Sequence, residues 1–221
     1  MTPSNAAAYE ACSPPQAGPL IEQVVLAESL HRNANDMQIV QGHLHRAKRA
    51  APEAACHIDA AIAHVGRIAD VQRLLIPPLS HGVEVDLKAT LEKVCLAMSR
   101  ATLEDQGIDI KVAVDECALD ARECWMIATI VVELVTNAAR HAFDDAGGTI
   151  VVAGRRDGRV LVVGVADNGT EAATTGTGAA RRLVGGGRGT GIVKAMLAFL
   201  GGTLRRSSGP EGTRVELWFG L

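Results

Sequence analysis

The chain has 221 residues, 48% of them hydrophobic, and a net charge of −3. That apolar content supports one or two packed domains and excludes a disordered chain, and the slightly acidic balance argues against a nucleic-acid-binding surface, which would show as a clustered basic excess. No apolar run approaches the roughly 18 residues needed to cross a membrane.

Residues 1–19, rich in proline and small residues, read as a loosely packed tail; they lack the charged and apolar regions of a signal peptide, so the expected location is cytoplasmic, away from a membrane. Residues 20–80 carry two helical patterns. Leu20, Val24, Ala27, Leu30, Ala34, Met37, Gln41 and Leu44 follow a 3,4 spacing, and Ile58, Ala61, Val65, Ile68, Gln72 and Leu75 repeat it after Ala51-Pro52. Pro52 suits the first turn of the second helix and Pro77-Pro78 ends it. Such a hairpin cannot hide its own apolar stripes. It is expected to pair with a second copy as a four-helix bundle, a homodimer, unless the seam packs on the rest of the chain.

From residue 81 to 221 the pattern becomes an α/β sandwich, one mixed sheet with helices on one face, which makes the whole chain α+β. "DLKATLEKVCLAMSRA" predicts a helix capped by Asp86, "IDIKVAV" a strand, and "ARECWMIATIVVELVTNAARHAF" a long helix. "TIVVAGRR" and "RVLVVGVAD" around "DG" predict a hairpin; a glycine-rich flap, a helix from about 189 to 200 and a last hairpin around "GPEGT" follow. The five cysteines, Cys12, Cys56, Cys95, Cys117 and Cys124, are odd in number and form no Cys-x-x-Cys, which suits reduced thiols rather than disulfides or zinc. The pairs Arg155/Arg156, Arg181/Arg182 and Arg205/Arg206 are scattered and read as solvated surface.

The long helix places Glu133, Thr136, Asn137, Arg140 and His141 along one face and Leu134, Val135, Ala138 and Ala139 on the other. A polar stripe behind so apolar a run needs a partner, either a buried hydrogen-bond network or a ligand. Further on, Asp167 ends a strand with Gly169 two residues later, and seven of the sixteen positions 176–191 are glycine, too many for a packed element. That flap leads into a helix N-terminus, where unpaired N–H groups favour phosphate. A dinucleotide-binding reading fails because the glycines follow no strand of an early βαβ unit, and the G-x-x-x-x-G-K-[ST] loop is absent.

Taken together these segments resemble the ATP-binding domain shared by histidine kinases, gyrase-type ATPases and Hsp90 chaperones. The resemblance implies ATP and Mg²⁺ as cofactors: Asn137 as the metal ligand, Glu133 orienting or activating the attacking group, and Arg140 and His141 near the phosphates. It further implies Asp167 accepting from the adenine amino group, Gly169 admitting the base, and Gly187, Gly189 and Gly191 cradling phosphate. Where relatives have a second glycine, two residues past Gly169, this chain has Glu171.

The first helix, "AESLHRNANDMQIVQ", resembles the acceptor helix of histidine kinases with an H-R-x-x-N sequence and without the Trp-x-Glu signature of the HWE subfamily. His31, Arg32, Asn35, Gln38 and Glu28 fall in place, with Leu30 where relatives often have another histidine. With Leu30, Met37 and Leu44 in the seam, His31 sits at its edge. Its imidazole is a competent nucleophile near neutral pH, and Glu28 one turn away can fix its tautomer. His43, His45, His57, His64 and His81 are given no role.

The expectation is a dimeric histidine kinase core that phosphorylates His31 from Mg-ATP and passes the phosphoryl group to an Asp of a response-regulator receiver domain. About twenty residues before the hairpin are too few for a sensor, so input would come from a separate sensor protein or a larger chain. The alternatives are a histidine phosphotransferase of the same architecture that relays phosphoryl groups without ATP, and an anti-sigma-type switch serine kinase.

Overall fold

The computed structural model describes residues 36–78, 82–143, 147–169 and 188–221. Helix α1 (36–50) and helix α2 (Ala55–Leu74) form the hairpin, with Pro52 opening a short 3-10 turn, Pro52–Ala54, that leads into α2. They run antiparallel: Lys48 Nζ lies 2.6 Å from Asp59 Oδ1, and a Cβ on Gly66 would sit 3.3 Å from the Gln41 amide nitrogen. Met37, Gln41, Leu44, Ile58, Val65 and Ile68 are half-buried along the seam.

Leu75 departs from the seam expected of it. It is 4% exposed within the core of the following domain, and its carbonyl accepts the indole N–H of buried Trp125 at 2.8 Å. The reason is local: the helix has ended, so the Leu75 carbonyl needs a donor from outside it, and a buried indole N–H needs an acceptor. Two to three turns earlier, Arg67 and His64 face Asp105 at 3.6 and 3.9 Å. The foot of the hairpin is thereby tied to the second domain at two places.

Strand β1 (Glu84–Asp86) pairs antiparallel with β3 (Ala118–Asp120), a two-stranded sheet that the sequence pattern did not announce. Helix α3 (Leu87–Met98) starts on its expected cap: Asp86 accepts from Lys88 N at 3.3 Å and Ala89 N at 3.1 Å, and also from Cys117 N at 3.0 Å. The Cys117 bond first, then the two helix N–H groups, hold the Asp86 carboxyl below its ordinary pKa despite an opposing desolvation effect. Because the folded pKa is depressed, its contribution to stability is present above the usual carboxylate range and is lost as pH falls through the folded value. Asp86→Ala should therefore melt lower than wild type at about pH 7, with the gap narrowing toward about pH 3, as followed by circular dichroism. A gap that stays constant across that range would refute the charge argument.

Helix α3 stops three residues before the expected Ala101 and passes into one π-helical turn, Ser99–Leu103, before strand β2 (Ile108–Val114). Helix α4 (Ala121–His141), strands β4 (Gly148–Asp157) and β5 (Val160–Asp167), helix α5 (Arg188–Phe199), and strands β6 (Thr203–Gly209) and β7 (Gly212–Gly220) complete the chain. The main sheet has the order β2-β4-β5-β7-β6, with β2 and β4 parallel and every other neighbour antiparallel, so it is mixed as expected.

Alternation fixes the two faces of this sheet. Ile150, Val152, Leu161, Val163, Val165, Val215, Leu217 and Phe219 are buried and form one core with Leu87, Leu91 and Val94 of α3, most of α4, and Val193 and Met196 of α5. Intervening positions such as Ala153, Arg155, Arg205 and Trp218 face away from that core and are exposed. The helices lie on one face.

Candidate functional site

Helix α4 changes character along its length. From Cys124 to Val135 every residue except Glu133 is buried, whereas Asn137, Arg140 and His141 are exposed and Thr136 is half-buried. The turns from Cys124 to Val135 are a core element, and those after them emerge from the core carrying the polar stripe. Glu133 stands at the transition. Burial raises its carboxyl pKa, and Arg140, two turns along, opposes the shift without cancelling it.

The sign of that shift has a consequence. A raised folded pKa means that ionising Glu133 costs stability, a cost felt increasingly as pH rises through the folded value. Glu133→Gln should therefore melt higher than wild type at neutral pH. If Glu133 activates the attacking group, the same change should lower phosphoryl transfer by about 10² or more. Thermal melts and label transfer on one preparation check both halves, and a variant that is less stable at neutral pH would contradict the first.

Asp167, at the end of β5, is held from both sides. Its Oδ1 accepts the backbone N–H of Gly169 at 3.2 Å and of Thr213 at 3.1 Å, and among the described residues no donor reaches Oδ2. Asn168 extends the ladder to β4: its N–H donates to the Thr149 carbonyl at 3.2 Å, and its side-chain oxygen accepts from Thr149 N at 2.7 Å. A half-buried carboxylate with one oxygen anchored by two N–H groups has a fixed direction for its other oxygen, which is what reading a single amino group requires.

Two glycines set this turn against its surroundings. A Cβ on Gly169 would lie 1.9 Å from the carbonyl oxygen of Ala142, so the missing side chain makes room for the end of α4. The glycine expected here for the approach of a base thus has a second demand on it, the close packing of the end of α4. A Cβ on Gly212 would lie 1.9 Å from the Asp167 carbonyl oxygen, and Gly212 has φ +116°. Gly212 and Thr213 were not among the expected site residues, although "GT" after the turn "GPE" was the available signal.

The Gly169–Ala142 contact puts the Asp167 turn directly beside the last turn of α4, which brings Asp167 to the same end of the domain as Asn137, Arg140 and His141. Their donor set suits Mg-ATP: Asn137 offers one exposed amide oxygen, enough for a hard cation whose other ligands are phosphate and water, and Arg140 is an exposed cation near it. Gly189 and Gly191 fall in the first turn of α5, and a Cβ on Gly191 would meet nothing within 4 Å. His31, Glu28, Gly187 and Glu171 lie outside the described residues. Cys95, Cys117 and Cys124 are buried core groups, and burial pushes the Cys95 thiol up to about 12 and that of Cys124 upward as well.

Residues 126–221 match the histidine kinase-, DNA gyrase B-, and HSP90-like ATPase family, and curated relatives of this chain include sensor histidine kinases. The chain is 29% identical over 152 residues to the sensor histidine kinase PdtaS of Mycobacterium tuberculosis, and 30% identical over 155 residues to PdtaS of Mycolicibacterium smegmatis. Those matches cover 67% and 68% of this chain but 30% of each relative. In fold, it matches the histidine kinase domain of the Erythrobacter litoralis EL346 blue-light activated histidine kinase with a TM-score of 0.58 at 23% identity, covering 88% of this chain and 94% of that one. It matches a bacterial phosphotransferase with a TM-score of 0.61 at 11% identity, covering 87% and 96%. Among the described residues no helix is long and apolar enough to cross a membrane.

Proposed function

We propose that this chain is an ATP-dependent protein-histidine kinase core that phosphorylates its own His31 and hands the phosphoryl group to an Asp of a response-regulator receiver domain. The observation that carries the reading is the anchored Asp167 beside the polar end of α4: a fixed carboxylate and a stripe of exposed polar side chains at one end of one domain, the pairing that base reading and phosphate holding would need. In this reading Asp167 Oδ2 accepts the adenine amino group, Asn137 holds Mg²⁺, and Arg140 and His141 meet the phosphates with Gly187, Gly189 and Gly191. Bound Mg²⁺ neutralises phosphate charge. Glu133 orients the attack, and Glu28 steadies the imidazole of His31. Phosphoryl transfer asks mainly for such positioning and charge neutralisation.

The hairpin supports a homodimer. Ile39 and Val40 of α1 are 57% and 42% exposed, leaving apolar surface that a second hairpin would cover. Catalysis in a soluble cytoplasmic dimer, with input from a separate sensor protein, follows the same reading.

A second reading, a phosphotransferase relaying between receiver domains without ATP, is favoured by the fold shared with a bacterial phosphotransferase. Incubation with γ-labelled ATP separates the two. Acid-labile label on wild type, absent from His31→Ala, is the expected result. No label, with label accepted from a phosphorylated receiver, would replace the kinase with the relay, and acid-stable phosphoserine on a partner would point to an anti-sigma-type kinase.

A further inference from the structure

The outer face of the main sheet, opposite the helices and the candidate site, brings together residues that are far apart in sequence. Arg155 on β4, Val162 on β5, Trp218 on β7 and Thr203 on β6 stand in one cross-strand row, and Arg205 pairs with Glu216 in the next. Two of the arginine pairs that looked scattered thus each place a member on the same surface. Trp218 lies between Arg155 and Arg205.

Trp218 is 36% exposed and Val160, diagonal to it on β5, is 37% exposed, so this corner shows an apolar ridge to solvent. The neighbouring floor is low: Ala153 pairs with Gly164, whose missing Cβ would meet only ordinary contacts at 3.5 Å and beyond. Toward the other end the charges neutralise one another, Lys111 with Asp109 and Arg214 with Glu216, each at 3.8 Å. Arg155 and Arg205 are exposed and, among the described residues, have no carboxylate within ion-pair reach; Asp157, also on this face, stands directly opposite Val160 at the strand end, one row from Arg155.

We propose that this surface docks an acidic amphipathic helix of a partner protein, laid across the strands with its apolar stripe on Trp218 and Val160 and a carboxylate reaching each arginine. Exposed Trp and Arg are the side chains that dominate protein interfaces, and an arginine fork matches a carboxylate in two bonds. The geometry sets the spacing. Arg155 and Arg205 are three strand intervals apart, about 14 Å, and offset by two residues, about 7 Å, along the strands, so about 16 Å in all, which equals eleven residues of helix at about 1.5 Å per residue and brings both ends to one helix face. The helix therefore needs Glu or Asp at that separation, with apolar residues at 3,4 spacing between.

A synthetic helical peptide of about 18 residues, with two Glu about eleven positions apart flanking a Leu stripe, tests this on the full chain by calorimetry and tryptophan emission. Saturable binding is expected, with a change in emission that is missing from Trp218→Phe. Arg155→Glu with Arg205→Glu should weaken it at least tenfold, and a peptide with Lys in place of the two Glu should recover binding to that double variant. Equal affinity of wild type and double variant overturns the proposal, as does the absence of binding. So does sedimentation in which Trp218→Glu disrupts a dimer, since a second copy would then own this face. Equal thermal melts of wild type and variants establish that each remains folded.

Discussion

Gly212→Ala is expected to remove nucleotide binding and destabilise the fold together. The residue has φ +116°, a conformation L side chains rarely adopt, and the new Cβ would stand 1.9 Å from the Asp167 carbonyl oxygen and 3.0 Å from the Asn168 Cα. Both neighbours are backbone, so no side-chain rotation relieves the overlap. Backbone strain of this kind costs about 1–3 kcal/mol. Relief requires the Asp167 turn to move by about an ångström, and misplacement on that scale costs positioning chemistry roughly 10²-fold. Thermal melts and titration with an ATP analogue measure the two effects separately. Wild-type affinity in the folded variant would show that the Asp167 turn does not hold the base. Gly169→Ala should behave similarly, by pushing the turn off the end of α4.

Trp125→Ala should cost about 3–5 kcal/mol, the range for deleting a large buried aromatic side chain. That is a large share of the 5–15 kcal/mol that holds a typical domain together. Trp125 is 7% exposed within the core and its N–H satisfies the carbonyl of Leu75. Trp125→Phe keeps most of the ring volume but leaves that carbonyl without its donor, for an expected loss of about 1–3 kcal/mol. Denaturant unfolding gives both numbers. Hydrogen exchange should quicken first in the last turn of α2; unchanged protection there would mean that the indole does not secure the hairpin.

Much of this architecture could be read from periodicity. The α3 cap at Asp86, the length of α4 and the two β hairpins all follow from local patterns of two or 3.6 residues, reinforced by Asp157-Gly158 and by prolines at helix ends. What escaped were features decided by tertiary contact. Leu75 fits the hairpin's 3,4 series and still leaves it, because Trp125, fifty residues on, offers a better environment. β1 and β3 are three residues each, too short to show alternation, and exist because they pair with each other.

The candidate site divides in the same way. The Glu133–His141 stripe was visible because a helix repeats its face, and Asp167 because a strand ended in a carboxylate. Thr213 was not visible, since it contributes a backbone N–H, which any residue but proline could supply. The role of Gly169 was legible as a need for glycine, but only the fold says which neighbour demands the space.

Helix α4 joins two places that matter. Its second turn is pinned by Trp125 to the hairpin's foot, and its fifth turn carries Asn137. The two are about 18 Å apart along a stiff axis at about 1.5 Å per residue. Pivoting the rod through about three degrees at the Trp125 end would swing Asn137 by roughly 1 Å, the scale at which alignment for transfer is lost. A small torque on the coil of helices would thereby be enough to move the far end between aligned and misaligned, through shifts of about an ångström or less in the core side chains packed on the rod.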